Sequence, residues 1–262
     1  MTLVYLYAVG PALTAGWLAA NDLPGIAGSP VRAVCERQLT GAVSDVPADQ
    51  FDQEPLDRNV VDPEWLAPHA AAHHEVNAAL LDGVGTILPL AFGTIFRSEE
   101  GVLAALRDRA VELEIALTAL AGRVEWVCTL DRDRRAAGEH LQRRRESESG
   151  GLRTESPGKA YLIKRKAEVA SVDGLRTLDH EARSQFRAVL DGLSGEVTDE
   201  PTIEGGPAAR CTVLLPRNDG PSLLAALERF EDSWAERGYA PRADGPWPPY
   251  RYSARVGTLR GA

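Results

Sequence analysis

His69, His73, His74 and Glu75 form the densest group of metal-ligating side chains in the sequence. Two histidines four apart on a helix lie on one face and can share a zinc ion. A closed site needs two more ligands, and the H-E-x-x-H arrangement that would add a general base is absent. The group therefore reads as histidines on an ordinary helix. Ser156-Pro157-Gly158-Lys159 ends like a phosphate-binding loop. However, the preceding glycine, Gly151, is seven residues before Gly158 where the loop requires five, and Ala160 replaces the magnesium-binding Ser or Thr. There is no G-x-S-x-G elbow, no G-x-G-x-x-G after the first strand, and no Cys–His pairing. Carboxylates are plentiful without forming a recognisable acid–base pair. Arg143-Arg144-Arg145 sits among Glu146 and Glu148 and reads as a solvated run. These residues argue against an enzyme, and they call for no cofactor and no metal.

The totals narrow the remaining classes. A chain of 262 residues makes one large domain or two of ordinary size, and 44% apolar with 26% charged residues is globular. A formal charge of −9 disfavours nucleic acid and anionic lipid as partners. Cys35, Cys128 and Cys211 are too few and too scattered for a disulfide framework, so buried free thiols in a reducing cytoplasm are expected. MTLVYLYAVG lacks the basic start and cleavage site of a signal peptide. The uncharged stretch TILPLAFGTIF, residues 86–96, falls well short of the roughly 20 residues a spanning helix needs, so no membrane partner is expected.

Several elements would position these residues. Leu3–Val9 is a strand buried on both faces, followed by short strands at Val31–Cys35 and Leu39–Val46 and a polar loop over Pro47–Asn59. Asp62-Pro63-Glu64 has the pattern of a helix start, but Pro68 interrupts it. The expectation is a tight turn at Pro63–Trp65, then a helix from Pro68 to about Leu81. Leu66, His69, His73, Val76 and Leu80 would share one face of that helix. TILPLAFGTIF reads as a core strand with Pro89 and Gly93 as irregularities. Ser98 caps a leucine-striped helix that runs to Gly122. Arg123–Leu130 alternates as a strand, Asp131–Glu155 is a charged linker, and a long helix runs from Pro157 to about Leu190. Strands near Gly195–Ile203 and Ala208–Leu215, a helix ending at Gly238, and a last strand at Tyr252–Val256 complete the chain.

The order from Arg123 onward is β-α-β-β-α-β, the ferredoxin-like split βαβ. The expected fold class is α+β in two mixed domains. Residues 1–121 form an N-terminal domain ordered β-β-β-α-β-α, and 122–262 form a C-terminal ferredoxin-like domain with a proline- and aromatic-rich tail. In that tail, GPWPPYRY (245–252) combines three prolines with Trp247, Tyr250 and Tyr252. It packs over a domain edge or presents a binding surface.

Taken together, DPEWLAPHAAAHHEVNAALL (62–81), TILPLAFGTIF (86–96), GRVEWVCTL (122–130), SPGKAYLIKRK (156–166) and GPWPPYRYSA (245–254) resemble the gas vesicle protein F/L family, in order and over almost the whole chain. The resemblance implies two ferredoxin-related domains, the N-terminal one a modified version of that fold. It also implies a non-enzymatic accessory or minor structural protein of gas vesicles, the gas-filled, protein-walled compartments that give cells buoyancy. Its location would be the cytoplasm, in association with gas vesicles. The implied partners are the small, very apolar main shell protein and other accessory proteins. The family often carries a basic residue where this chain has Ala91. Trp65, Leu88, Pro89, Phe92, Gly93, Trp247, Pro248 and Tyr250 are the candidate interaction or signature residues. The sharper expectation is that the Pro89–Gly93 edge or its neighbouring helix receives an apolar shell-protein segment. The competing expectation is a two-domain ferredoxin-like regulator that binds a small molecule.

Overall fold

The computed structural model describes residues 1–149, 157–203 and 205–256. It divides into two compact units. Met1–Glu125 and the segment from Pro246 onward make the first, and Trp126–Gly245 makes the second.

The first unit is built around β1 (Thr2–Pro11), which is buried from Leu3 to Gly10. A strand with apolar residues on both faces needs cover on both; its neighbours in the sheet pair its edges, and helices packed on the sheet supply the cover. Helix α1 (Leu13–Ala20) follows and then β2 (Arg32–Glu36) and β3 (Leu39–Pro47), with β3 antiparallel to β1 and β2 antiparallel to β3. Pro47–Asn59, expected to be a loop, forms two short helices instead, α2 (Ala48–Phe51) and α3 (Gln53–Asn59). Burial of Phe51 anchors the first, and the Asp52 carboxylate accepts the Gln53 N–H at the start of the second.

Helix α4 runs unbroken from Pro63 to Val84, with no separate turn before Pro68. The Asp62 carboxylate accepts from Glu64 N at 3.0 Å, and Pro63 takes the first helical position. Pro68 removes one N–H partner from the Glu64 carbonyl, but Glu64 and Pro68 are both exposed, so water can replace the bond. Gly83 lies within the helix. A Cβ there would collide with the Trp17 indole, so glycine at this position sets how closely α1 approaches α4. Gly85, at φ 79°, ends the helix.

TILPLAFGTIF is not one continuous strand. It gives β4 (Leu88–Pro89) and β5 (Ile95–Phe96), both antiparallel to β1. From Ala8 to Val4 β1 advances four residues, while its partner advances seven, from Pro89 to Phe96, so three extra residues bulge out. The sheet order is β2-β3-β1-β4, with β5 also on β1. The leucine stripe after Ser98 belongs to two helices, α5 (Glu99–Asp108) and α6 (Ala110–Leu120), which break at Arg109.

β6 (Arg123–Arg132), which enters the second unit at Trp126, leads into α7 (Arg134–Ser149), within the stretch expected to be a charged linker. Asp133 accepts from the backbone N–H groups of Arg135 and Ala136, and Ala137 and Leu141 are buried beneath the charged residues. The remainder of that linker, 150–155, lies outside the described residues, as does Ser156. Helix α8 (Pro157–Asp191) precedes β7 (Glu196–Asp199), β8 (Ala209–Pro216), α9 (Gly220–Trp234) and β9 (Tyr239–Trp247). The strand order β7-β8-β6-β9 places β6 and β8 at the centre, as the split βαβ arrangement requires. Both units are mixed α+β, and the second is ferredoxin-like.

The last strand is β9, not Tyr252–Val256, which lies in helix α10 (Tyr250–Val256). Pro241 and Pro246 disguise β9 in the sequence and are tolerated because it is an edge strand. The segment from Pro246 belongs to the first unit, whereas the sequence division assigned all of 122–262 to the second. Among the described residues no helix is long and apolar enough to cross a membrane.

Candidate protein-interaction site

Helix α4 presents His69 and His73 four residues apart, with His74 next to them, and aromatic side chains from four other segments gather along this face. Trp65 stacks on His69 with ring centroids 4.1 Å apart, and Phe51 from α2 lies 5.2 Å from Trp65. Phe92, at the tip of the bulge, meets Tyr5, Trp65 and His73 edge-on at 6.0, 6.3 and 5.8 Å. From the C-terminal segment, Trp247 meets His74 at 4.9 Å and Tyr250 meets His73 at 6.2 Å. Edge-to-face geometry at these distances is favourable for aromatic pairs.

A buried hydrogen-bond network fixes the bulge to the helix. The Tyr5 hydroxyl accepts the Gly93 N–H at 2.9 Å and lies 3.0 Å from His73 Nδ1. Asn77 Nδ2 lies 3.1 Å from His73 Nε2 and donates to the His73 carbonyl at 3.0 Å. On either side of the bulge, Leu90 N donates to the Tyr7 carbonyl and Leu6 N to the Thr94 carbonyl. Thr94 closes the turn by donating its hydroxyl to Ala91 O. Burial holds His73 neutral and lowers its pKa to about 4, with His74 adding to the effect and a hydrogen bond to Leu90 opposing it. Burial also raises the Tyr5 phenol, so it stays protonated.

The histidines are thus individually engaged. His69 Nδ1 faces the Trp65 carbonyl, both ring nitrogens of His73 have polar neighbours, and His74 Nδ1 meets the Tyr250 hydroxyl at 3.2 Å. Among the described residues no group of three His, Cys, Asp or Glu side chains is placed to hold a metal ion. Cys128 and Cys211 are buried with thiols pushed up to about 12, while Cys35, expected to be buried, is exposed.

Of the residues singled out in the sequence, Trp65, Phe92, Gly93, Trp247 and Tyr250 meet on this face. Leu88 and Pro89 are buried in β4 opposite Val9 and Ala8, where they hold the ladder rather than face outward. Pro248 is buried, and Trp247 remains 37% exposed. Sequence reading did not single out Tyr5, Phe51, Asn77 or Glu125. Glu125 is 5% exposed, and its carboxylate accepts the Arg251 and Tyr252 N–H groups at 3.0 and 2.8 Å, which holds the start of α10. Burial raises its pKa against those two hydrogen bonds. The available signal was the alternation in β1, where Tyr5 and Tyr7 share one face and their hydroxyls need buried partners.

A family model described as "Gas vesicle synthesis protein GvpL/GvpF" matches residues 3–254. "Gas vesicle protein L" of Streptomyces sp. (strain CB03234) is 28% identical over 236 residues, covering 87% of this chain and 85% of that protein. "Gas vesicle protein L2" of Halobacterium salinarum is 24% identical and covers 97% of this chain and 92% of its own length. Among solved structures, the gas vesicle protein GvpF from Anabaena sp. PCC7120 superposes with a TM-score of 0.67 at 19% identity, covering 97% of this chain and 96% of that one. GvpF from Microcystis aeruginosa gives 0.65 at 17%, covering 96% and 98%.

Proposed function

The chain belongs to the gas vesicle synthesis protein GvpL/GvpF family, and we propose that it serves gas vesicle assembly as a non-enzymatic accessory or minor structural protein that binds the main shell protein. It works in the cytoplasm on forming vesicles and meets other accessory proteins there. The observation that carries this reading is the Phe92 bulge. It is a backbone excursion of an uncharged, largely apolar stretch, held in place by part-buried hydrogen bonds, with an aromatic ring at its tip and exposed Ala91 beside it. A ring fixed on a rigid support suits an apolar partner, because little side-chain entropy is lost on binding. Ala91 leaves the bulge uncharged.

The competing reading, a small-molecule regulator, would use the cavity of about 560 Å³ between α8 and the β7–β8 strands. Of the three arginines in its wall, Arg187 is already paired with Asp191 and Asp199.

The test is co-expression with the main shell protein, read as shell protein retained in soluble form on the purified chain against shell protein expressed alone. Retention is expected, and Phe92→Asp should reduce it about tenfold or more with the fold intact. A folded wild-type chain that retains none would overturn the proposal.

A further inference from the structure

The chain carries −9 overall, yet its charge is unevenly spread. Residues 134–166 hold ten Lys or Arg against four Asp or Glu, a net +6 that leaves −15 for the rest. All three lysines of the sequence, Lys159, Lys164 and Lys166, fall in this stretch. In the second unit the bias takes a defined form. α7 packs along the short helical turn Ala235–Arg237 that follows α9. Gly238, at φ 82°, closes that turn so tightly that a Cβ there would lie 2.7 Å from Ala137 N and from Asp133 O. Its carbonyl accepts the Asp133 N–H at 2.8 Å. This anchor fixes Arg237 beside α7. The Arg237 guanidinium lies 4.6 Å from the centre of the Trp234 ring, itself buried and donating its Nε1–H to Gln185. Half-buried His140 marks where the charges meet. Burial lowers its pKa, Arg237, Arg143 and Arg144 lower it further, and Glu236 opposes them. Among the described residues neither Arg143 nor Arg237 has a carboxylate within ion-pair distance.

We propose that Arg143, His140 and Arg237 form a docking surface for a short acidic segment of a partner protein, whose carboxylates take the guanidinium groups. Arginine holds a carboxylate through two parallel N–H donors, and a guanidinium already laid on an aromatic ring loses less freedom when it binds. A very apolar partner gains nothing from such a surface, so this contact is separate from the one proposed for the shell protein and does not depend on it. Nucleic acid is the poorer fit. Beyond the cluster a long polyanion meets a chain whose remaining charge is −15. A short acidic segment stays within the cluster: α7 from Arg134 to Arg145 is roughly 17 Å long, which about six extended residues span.

The test is binding of a dye-labelled peptide of about six glutamates to the full chain, read by fluorescence anisotropy at about 50 mM and about 200 mM salt. Saturable binding at the lower salt that weakens at the higher is expected. Arg143→Glu, at an exposed position, and Arg237→Glu should each weaken it about fivefold or more. Arg210→Glu makes the same change of charge at an exposed position elsewhere in the unit and should alter binding by less than about twofold. If Arg237→Glu fails to fold, Arg143→Glu decides alone. Absence of saturable binding by the folded wild type, undiminished binding by folded Arg143→Glu, or equal weakening by Arg210→Glu would overturn the proposal. Tighter binding of a single-stranded oligonucleotide of the same length would overturn the choice of an acidic protein segment as the partner.

Discussion

A histidine held neutral in a packed interior makes stability depend on pH. His73 has a pKa lowered to about 4 in the folded chain by burial, against about 6.5 when exposed. Between these values the unfolded chain binds a proton that the folded chain does not. The associated stability is therefore fully present above about pH 6.5 and is lost as the pH falls toward 4, up to about 3 kcal/mol in all. Glu125 acts in the opposite sense, because burial raises its pKa. Urea unfolding at pH 7 and pH 4.5 should show a decline for the wild type that His73→Gln removes in large part. An identical pH dependence in both proteins would mean that His73 is not held neutral. Only part of this was legible in the sequence. The 3-4 spacing placed His73 on the buried stripe of α4, but its contact with Tyr5 spans 68 residues and has no local signature.

Among the elements, those specified by caps and by unbroken apolar runs were readable, and those specified by edge position or tertiary contact were not. β1, β3 and the Ser98 cap follow directly from composition. β9 was hidden by prolines that only an edge strand accepts, and α7 by charges that conceal buried Ala137 and Leu141. TILPLAFGTIF has the composition of a core strand, yet three extra residues convert its middle into a bulge, and Tyr5, which holds the bulge, lies far away in sequence. Helix α10 has seven residues, too few to persist alone in water, so its order depends on packing and on the Glu125 carboxylate. Glu125→Ala leaves those two N–H groups without their acceptor, at a cost of about 2 kcal/mol. Hydrogen exchange should then show faster exchange at 250–255 with the β1 core unchanged. Unchanged exchange at 250–255 would mean that packing of Pro248 and Pro249 alone holds the segment.

For the whole molecule, the sequence supported two α+β domains and a ferredoxin-like second one. It did not show that the chain returns to its first unit after β9. That return brings Trp247 and Tyr250 to the histidines of α4, so sequence signatures more than 150 residues apart form one surface. Family membership connects the chain with gas vesicle assembly. The proposal places the contact with the shell protein on the first unit. A hydrogen-exchange footprint of the chain purified with soluble shell protein, compared with the chain alone, tests this. New protection is expected over residues 91–97, with the second unit's sheet unchanged. Protection confined to 126–245, with 91–97 exchanging as in the free chain, would rule it out.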